Sequence, residues 1–240
     1  MKVRSIYSPN FNKKRRSYKS IKFLIIHYTG MQSERESIIK LCNSKSKVSS
    51  HFVINQKGKI YRLVQDNQIA WHAGKSCWGK YKNLNKTSIG IELVNKGHKF
   101  GYTNFKKKQL SSLIKICKNL IRKYRIKKQN IVGHSDVAPL RKIDPGEKFP
   151  WKELAYEKIG IWHNCNTKIL KKLRKVRISS KFKLEFINNL KKIGYYFDNK
   201  KKANFAKVIK AFQRHYRKKL INGIIDKECL LISKNILKKI

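Results

Sequence analysis

An α/β domain, with helices flanking a mixed central β-sheet, followed by a small C-terminal three-helix domain, is the architecture this sequence predicts. Three observations point to it. Short apolar runs alternate with helix-period segments as far as Trp151, the pattern of helices packed on a sheet. From about residue 168 the strand-like runs stop and helical periods alone continue. Between them "IGIWHNCNTK" (159–168) reads as a connection, which divides the chain into residues 1–165 and 166–240.

Taken in order, "IKFLIIHYTG" (21–30) is a continuous apolar run closed by Thr29 and Gly30, which suits a buried strand with His27 at its end. "SERESIIKLC" places Glu36 three residues after Ser33, a capping box, ahead of Ile38, Ile39, Leu41 and Cys42: a short helix. "SHFVINQKGKIYRLV" reads as a hairpin turning at Gln56-Lys57-Gly58. "SIGIELVN" (88–95) alternates, with Ile89, Ile91 and Leu93 on one face and Gly90, Glu92 and Val94 on the other. Glu92 therefore sits mid-strand on the less bulky face. Leu110, Leu113, Ile114, Cys117, Leu120, Ile121 and Tyr124 recur at the spacing of an amphipathic helix. "NIVGHSD" is a further short strand ending at His134, and "RKIDPGEKFPW" is broken by Pro145, Gly146 and Pro150 into a stiff loop. In the tail, "SSKFKLEFINNLKKIGY", "KANFAKVIKAFQRHYRKKL" and "IDKECLLISKNILKKI" supply the three helices, the second with Phe205, Val208, Ile209, Phe212 and Tyr216 on one stripe.

The 240 residues carry a formal net charge of +46. Nucleic-acid binding gathers basic residues into a tract or face, whereas here Lys is spread over every helix and loop beside abundant Ile and Asn. No specific nucleic-acid partner is expected, although the field attracts polyanions of any kind. Five scattered cysteines without a Cys-x-x-Cys pair exclude a disulfide framework and a thiolate zinc cluster. No apolar stretch approaches the roughly 18 residues that span a membrane. The N-terminus has no apolar signal core, so a cytoplasmic location is expected, with the periplasm or cell envelope as the alternative.

His27 and His134 close two predicted strands, and Asp144 lies in the Pro-Gly loop ten residues beyond the second. Two histidines and a carboxylate leave a tetrahedral Zn²⁺ one open position for water. From spacing alone any of the seven histidines can instead be core or surface. His51 reads as structural, and His98, His163 and His215 as surface groups in basic surroundings. Glu92 can pair a Lys, while Trp71 and Trp78 suit either a core or a sugar-stacking loop.

"IHYTG", "SSHFVI", "AWHAG", "SIGIELVN" and "GHSDVAPLRKIDPGEKFPW" occur in the order and wording of one family. The chain resembles the zinc-dependent N-acetylmuramoyl-L-alanine amidases of the AmpD/AmiD type, relatives of the peptidoglycan recognition proteins, and is most like the AmiD branch in "SPNFNKKR", "IGIW" and "VIKAFQRHYR". The resemblance implies an amidase-like sheet fold and one Zn²⁺ per chain, held by His27, His134 and Asp144. It implies Glu92 as the acid working on the attacking water and Lys142 as the cation facing the substrate carbonyl oxygen. His72 and Trp71 are implied to line the substrate groove. Residues 166–240 are similar to a small peptidoglycan-binding domain. The implied reaction is hydrolysis of the amide between N-acetylmuramic acid and L-alanine in peptidoglycan or its muropeptide fragments, serving wall degradation or recycling. The alternative is a peptidoglycan-binding protein that does not cut.

Overall fold

The computed structural model describes residues 3–198 and 204–240. In chain order the amino-terminal half contains β1 (Val3–Ser5), β2 (Phe11–Asn12), β3 (Phe23–Tyr28), α1 (Glu34–Cys42), β4 (Phe52–Ile54), β5 (Ile60–Arg62), β6 (Ile69–Ala70), β7 (Cys77–Trp78), β8 (Tyr81–Lys82) and β9 (Ser88–Leu93). There follow α2 (Lys107–Tyr124), β10 (Ile131–Gly133), α3 (His134–Val137), α4 (Trp151–Tyr156), α5 (Thr167–Leu173), α6 (Ser180–Ile193), α7 (Phe205–Tyr216) and α8 (Lys227–Leu237).

Six strands form one mixed sheet in the order β1-β5-β4-β9-β3-β10. The centre is parallel: β3 lies between β9 and β10, and β4 runs parallel to β9. Only the predicted hairpin, β4 with β5, is antiparallel. Its turn is held by Asn55, whose Oδ1 accepts from the amides of Lys57 (3.0 Å) and Lys59 (2.8 Å), while Gly58 supplies the left-handed residue at φ 84°. The α1 start follows the capping-box expectation on one side. Ser33 Oγ accepts from the Glu36 amide at 3.1 Å, and the Glu36 carboxylate instead takes the amide of Gln32 at 3.3 Å.

Side-chain parity sorts the two faces of the sheet. Leu24 and Ile26 of β3, with Ile89 and Ile91 of β9, pack against Leu113, Ile116, Cys117 and Leu120 of α2. On the opposite face Phe23 and Ile25 join Phe186, Leu190, Phe212 and Ile232 of the carboxy-terminal helices in one buried cluster. The core is thus continuous across residue 165.

Two expectations need correction. "NIVGHSD" ends as a strand at Gly133, and His134 opens α3 instead of closing β10. Among the described residues the tail has a fourth helix, α5, whose N-cap Asn166 accepts from the amide of Lys168 at 2.8 Å. Lys202 and Ala203, the first residues of the second tail helix as read from the sequence, lie outside the described residues; within them the helix runs from Phe205 to Tyr216.

Candidate active site

Register builds the site. His27 of β3 pairs in register with Glu92 of β9, and Gly133 at the end of β10 pairs with Ile26, so His134 emerges beside His27. Three neighbouring parallel strands therefore deliver their chemistry at their carboxyl ends, where open α/β sheets place sites. Asp144 arrives on the loop after α3, anchored where the Ser135 amide donates to its carbonyl at 2.8 Å.

Three atoms converge. His27 Nδ1 lies 3.0 Å from His134 Nδ1 and 3.0 Å from Asp144 Oδ2, and His134 Nδ1 lies 3.1 Å from the same oxygen. All three residues are buried. Ligands at about 2.0–2.2 Å from a tetrahedral Zn²⁺ sit roughly 3.3 Å apart, so the triangle has the size of one ion's coordination face. The opposite ring nitrogens decide which atoms are lone pairs. His134 Nε2 lies 3.2 Å from the Ala73 carbonyl and 3.4 Å from the Arg141 guanidinium; donation to the carbonyl, the shorter contact, leaves Nδ1 bare. His27 Nε2 lies 3.1 Å from His72 Nδ1, His72 Nε2 lies 3.2 Å from Ser88 Oγ, and Ser88 donates to the Leu84 carbonyl at 2.6 Å. A carbonyl can only accept, so read back from Leu84 each partner donates in turn and His27 is left with a bare Nδ1.

Burial keeps His27 neutral: desolvation, with the neighbouring His134 adding to it and Asp144 opposing, brings its pKa down to about 4. For Asp144 burial acts upward, but His134 and His27 outweigh it and hold the carboxyl below its ordinary value. Glu92 goes the other way. Burial first, then the Asp144 charge, push it up to about 8, with Lys142 opposing. It is 8% exposed, and its Oε2 finds no hydrogen-bond partner among the described residues. A buried, unpaired carboxylate oxygen beside a cluster of ligand atoms is a feature of sites more than of cores. Lys142 is half-buried on the same loop as Asp144.

His72 departs from its expected place on the groove wall. It is buried, with both ring nitrogens bonded to protein, and it lies behind His27. Its ring rests on the bare backbone of Gly90, where a Cβ would come within 2.4 Å of His72 Cγ. That contact explains the glycine in "IGIEL". Asn85 Oδ1 holds the loop by accepting from the amides of His72 (3.2 Å) and Ala73 (2.7 Å). Trp71 is half-buried, and its Nε1 donates to Asn12 at 2.6 Å. Trp78 is core. His51 is structural as expected: its Nδ1 accepts from the Gly90 amide at 3.0 Å. His163 and His215, expected at the surface, are buried and stacked on aromatic rings, Trp162 and Trp151 respectively, and His215 also bonds the buried Asp136 carboxylate at 2.7 Å. Nothing in the sequence sets Arg16 apart from its basic neighbours Lys13, Lys14 and Arg15. Its guanidinium is buried and donates to the carbonyls of Ser88 (2.7 Å) and Asn85 (3.0 Å), bracing the strand that carries Glu92.

The sequence pattern of the N-acetylmuramoyl-L-alanine amidases matches residues 17–147. The chain is 36% identical to the N-acetylmuramoyl-L-alanine amidase AmiD of Escherichia coli, over 93% of this chain and 84% of that one. It is 33% identical to the 1,6-anhydro-N-acetylmuramyl-L-alanine amidase AmpD of Haemophilus influenzae, over 62% of this chain and 88% of the relative. Among solved structures it is similar to Escherichia coli AmiD in complex with anhydro-N-acetylmuramic acid-L-Ala-D-γ-Glu-L-Lys. That match has a TM-score of 0.81 and 34% identity, and covers 95% of this chain and 93% of the other.

Proposed function

The chain belongs to the N-acetylmuramoyl-L-alanine amidase family, and from that premise we propose that His27, His134 and Asp144 hold one Zn²⁺ at which Glu92 and Lys142 act. It is an enzyme that hydrolyses the amide between N-acetylmuramic acid and L-alanine in peptidoglycan muropeptides. The observation that carries the metal reading is the convergence of two bare imidazole nitrogens and a carboxylate oxygen within 3.0–3.1 Å of one another. With both Nδ1 atoms bare, three lone pairs face one another at this distance and repel, whereas a divalent cation between them is shared by all three, and neutral nitrogen with carboxylate oxygen is a zinc donor set.

When bound, the ion supplies Lewis acidity towards a water and the scissile carbonyl. The remaining work falls to the chain. Glu92, kept unpaired and high in pKa, takes the proton of the attacking water and returns it to the leaving amine. Lys142 places its cation against the oxyanion that forms on the carbonyl. His72 and Ser88 hold His27 in the tautomer and orientation that ligation needs. Residues 166–240 are the peptidoglycan-binding-like part, and Trp71 offers a ring at the groove.

Metal analysis and product release test the reading together. The purified chain is expected to carry one zinc and to free peptide from purified muropeptides, and an assay on whole sacculi then settles recycling of soluble fragments in the cytoplasm against wall degradation in the envelope. Stoichiometric zinc with no cleavage of either substrate would leave a binder and overturn the hydrolase.

A further inference from the structure

Two side chains of the carboxy-terminal helices reach into the turn that carries a metal ligand. Building on the metal-site reading above, we infer that Tyr195 and His215 are positioning residues for the zinc site: by gripping Asp136 they fix His134.

Asp136 is 1% exposed, buried two residues after His134 in the four-residue α3. Its carboxylate accepts three hydrogen bonds. Oδ2 takes the Gly133 amide at 2.7 Å and His215 Nδ1 at 2.7 Å, while Oδ1 takes the Tyr195 hydroxyl at 2.7 Å. The Gly133 amide is the group immediately before the ligand. A helix of one turn has no cooperative stability of its own, so the direction in which His134 leaves β10 depends on what holds the residues on either side of it. On one side the Gly133 amide donates to Asp136. On the other the Ser135 amide donates to the Asp144 carbonyl. Room is equally constrained, because a Cβ on Gly133 would meet Pro145 Cδ at 2.7 Å and Asp136 Oδ2 at 3.3 Å.

A buried carboxylate stays in place only while its donors do. Two of the three donors lie beyond residue 147, outside the segment that matches the amidase family. Both are held rigidly. The His215 ring is stacked on Trp151, with centroids 3.9 Å apart and planes 13° apart, and also on Tyr216 at 4.0 Å. Tyr195 packs edge-on against Trp78 at 4.8 Å, and the Gly79 amide donates to the Gly194 carbonyl at 2.7 Å. Docking the tail by apolar contact alone needs no buried carboxylate. The polar link runs to the ligand turn, and it makes the tail part of the metal site as well as an appendage to it.

Zinc affinity of the full chain, measured by competition with a fluorescent chelator, tests this apart from turnover. Tyr195→Phe and His215→Ala should each weaken zinc binding by about 10–100-fold, the usual range for partners that orient a ligand. His215→Asn, whose amide N–H can stand where Nδ1 donates, should recover most of the loss. Ile232→Ala, in the buried core of α8 and without a bond to Asp136, should lower the unfolding midpoint and leave affinity unchanged. Wild-type affinity in Tyr195→Phe and His215→Ala would overturn the inference alone, as would an equal loss in Ile232→Ala. A wild-type chain that takes up no zinc would overturn the metal reading beneath it as well.

Discussion

The two faces of the β3–β9 pair are built from the same six-residue strands and do opposite things. Towards α2, Leu24, Ile26, Ile89 and Ile91 are fully buried among aliphatic neighbours. On the other face the same strands begin with Phe23, Ile25 and Ser88 and finish with His27 and Glu92. Gly90 leaves room there for His72. Every residue of β9 is buried, so exposure does not separate the faces; hydrogen bonding does. One face is satisfied by packing. The other is a chain of polar groups that ends in three converging donor atoms and one carboxylate oxygen without a partner among the described residues. Parity thus lets each strand contribute stability on one side (Leu24 and Ile26 in β3, Ile89 and Ile91 in β9) and chemistry on the other (His27 and Glu92), each open to change without the other.

Substitutions should separate the two faces. The largest effect is expected from Asp144→Ala, which removes the carboxylate of the proposed ligand set: metal content should collapse on analysis of the purified chain, and muropeptide cleavage should fall to background. Glu92→Gln should keep its metal yet lose turnover by about 10²–10⁴-fold, the scale of a missing general base. Near-normal activity in that variant would dismiss Glu92 as proton carrier. On the packing face, Leu113→Ala should cost about 2–5 kcal/mol in urea unfolding with zinc affinity unchanged. His72→Ala should do the reverse, weakening zinc affinity by about 10–100-fold through the freed His27 ring, as read by chelator competition. Smallest is a pH effect on the metal-free chain. Glu92 titrates at about 8 when folded against 4.5 ordinarily. Between these values the folded chain holds a proton that the unfolded chain has released, so stability falls as pH rises towards 8. Unfolding midpoints of metal-free Glu92→Gln and wild type should therefore diverge in favour of the variant between about pH 6.5 and 8, a range above the His27 transition. A constant difference would contradict it.

Much of this was legible beforehand, for identifiable reasons. The apolar run of β3, the alternation of β9 and the Asn-Gln-Lys-Gly turn of the hairpin are local signals, and the structure follows them. His27, His134 and Asp144 stand out in the sequence through the wording around them, and the fold brings them together. For His215 the neighbours Arg214, Arg217 and Lys218 suggest a surface position, and the fold buries it. Its spacing three after Phe212 and seven after Val208 was the signal that placed it on the buried stripe. His72 and Asp136 gave no such signal. Their partners are Gly90, Ser88, Tyr195 and His215, and no period connects residues 45 or 79 apart such as His27 with His72 or Asp136 with His215.

By itself the amino-acid sequence determined which residues are able to ligate, the strands β3, β9 and β10 with the β4–β5 hairpin, and the apolar side of β9, because those properties repeat over a few residues and are set by local sterics and hydrophobicity; β1, β2, β6, β7 and β8, of two or three residues each, carry no such period. The folded chain decided which partners each imidazole nitrogen meets, which carboxylate oxygen goes unpaired among the described residues, and that Tyr195 and His215 of the tail bond to Asp136 in the turn after His134. Those outcomes depend on burial and on distances of about 3 Å between groups far apart in sequence, and hydrogen bonds of that reach form only once the strands have taken their register.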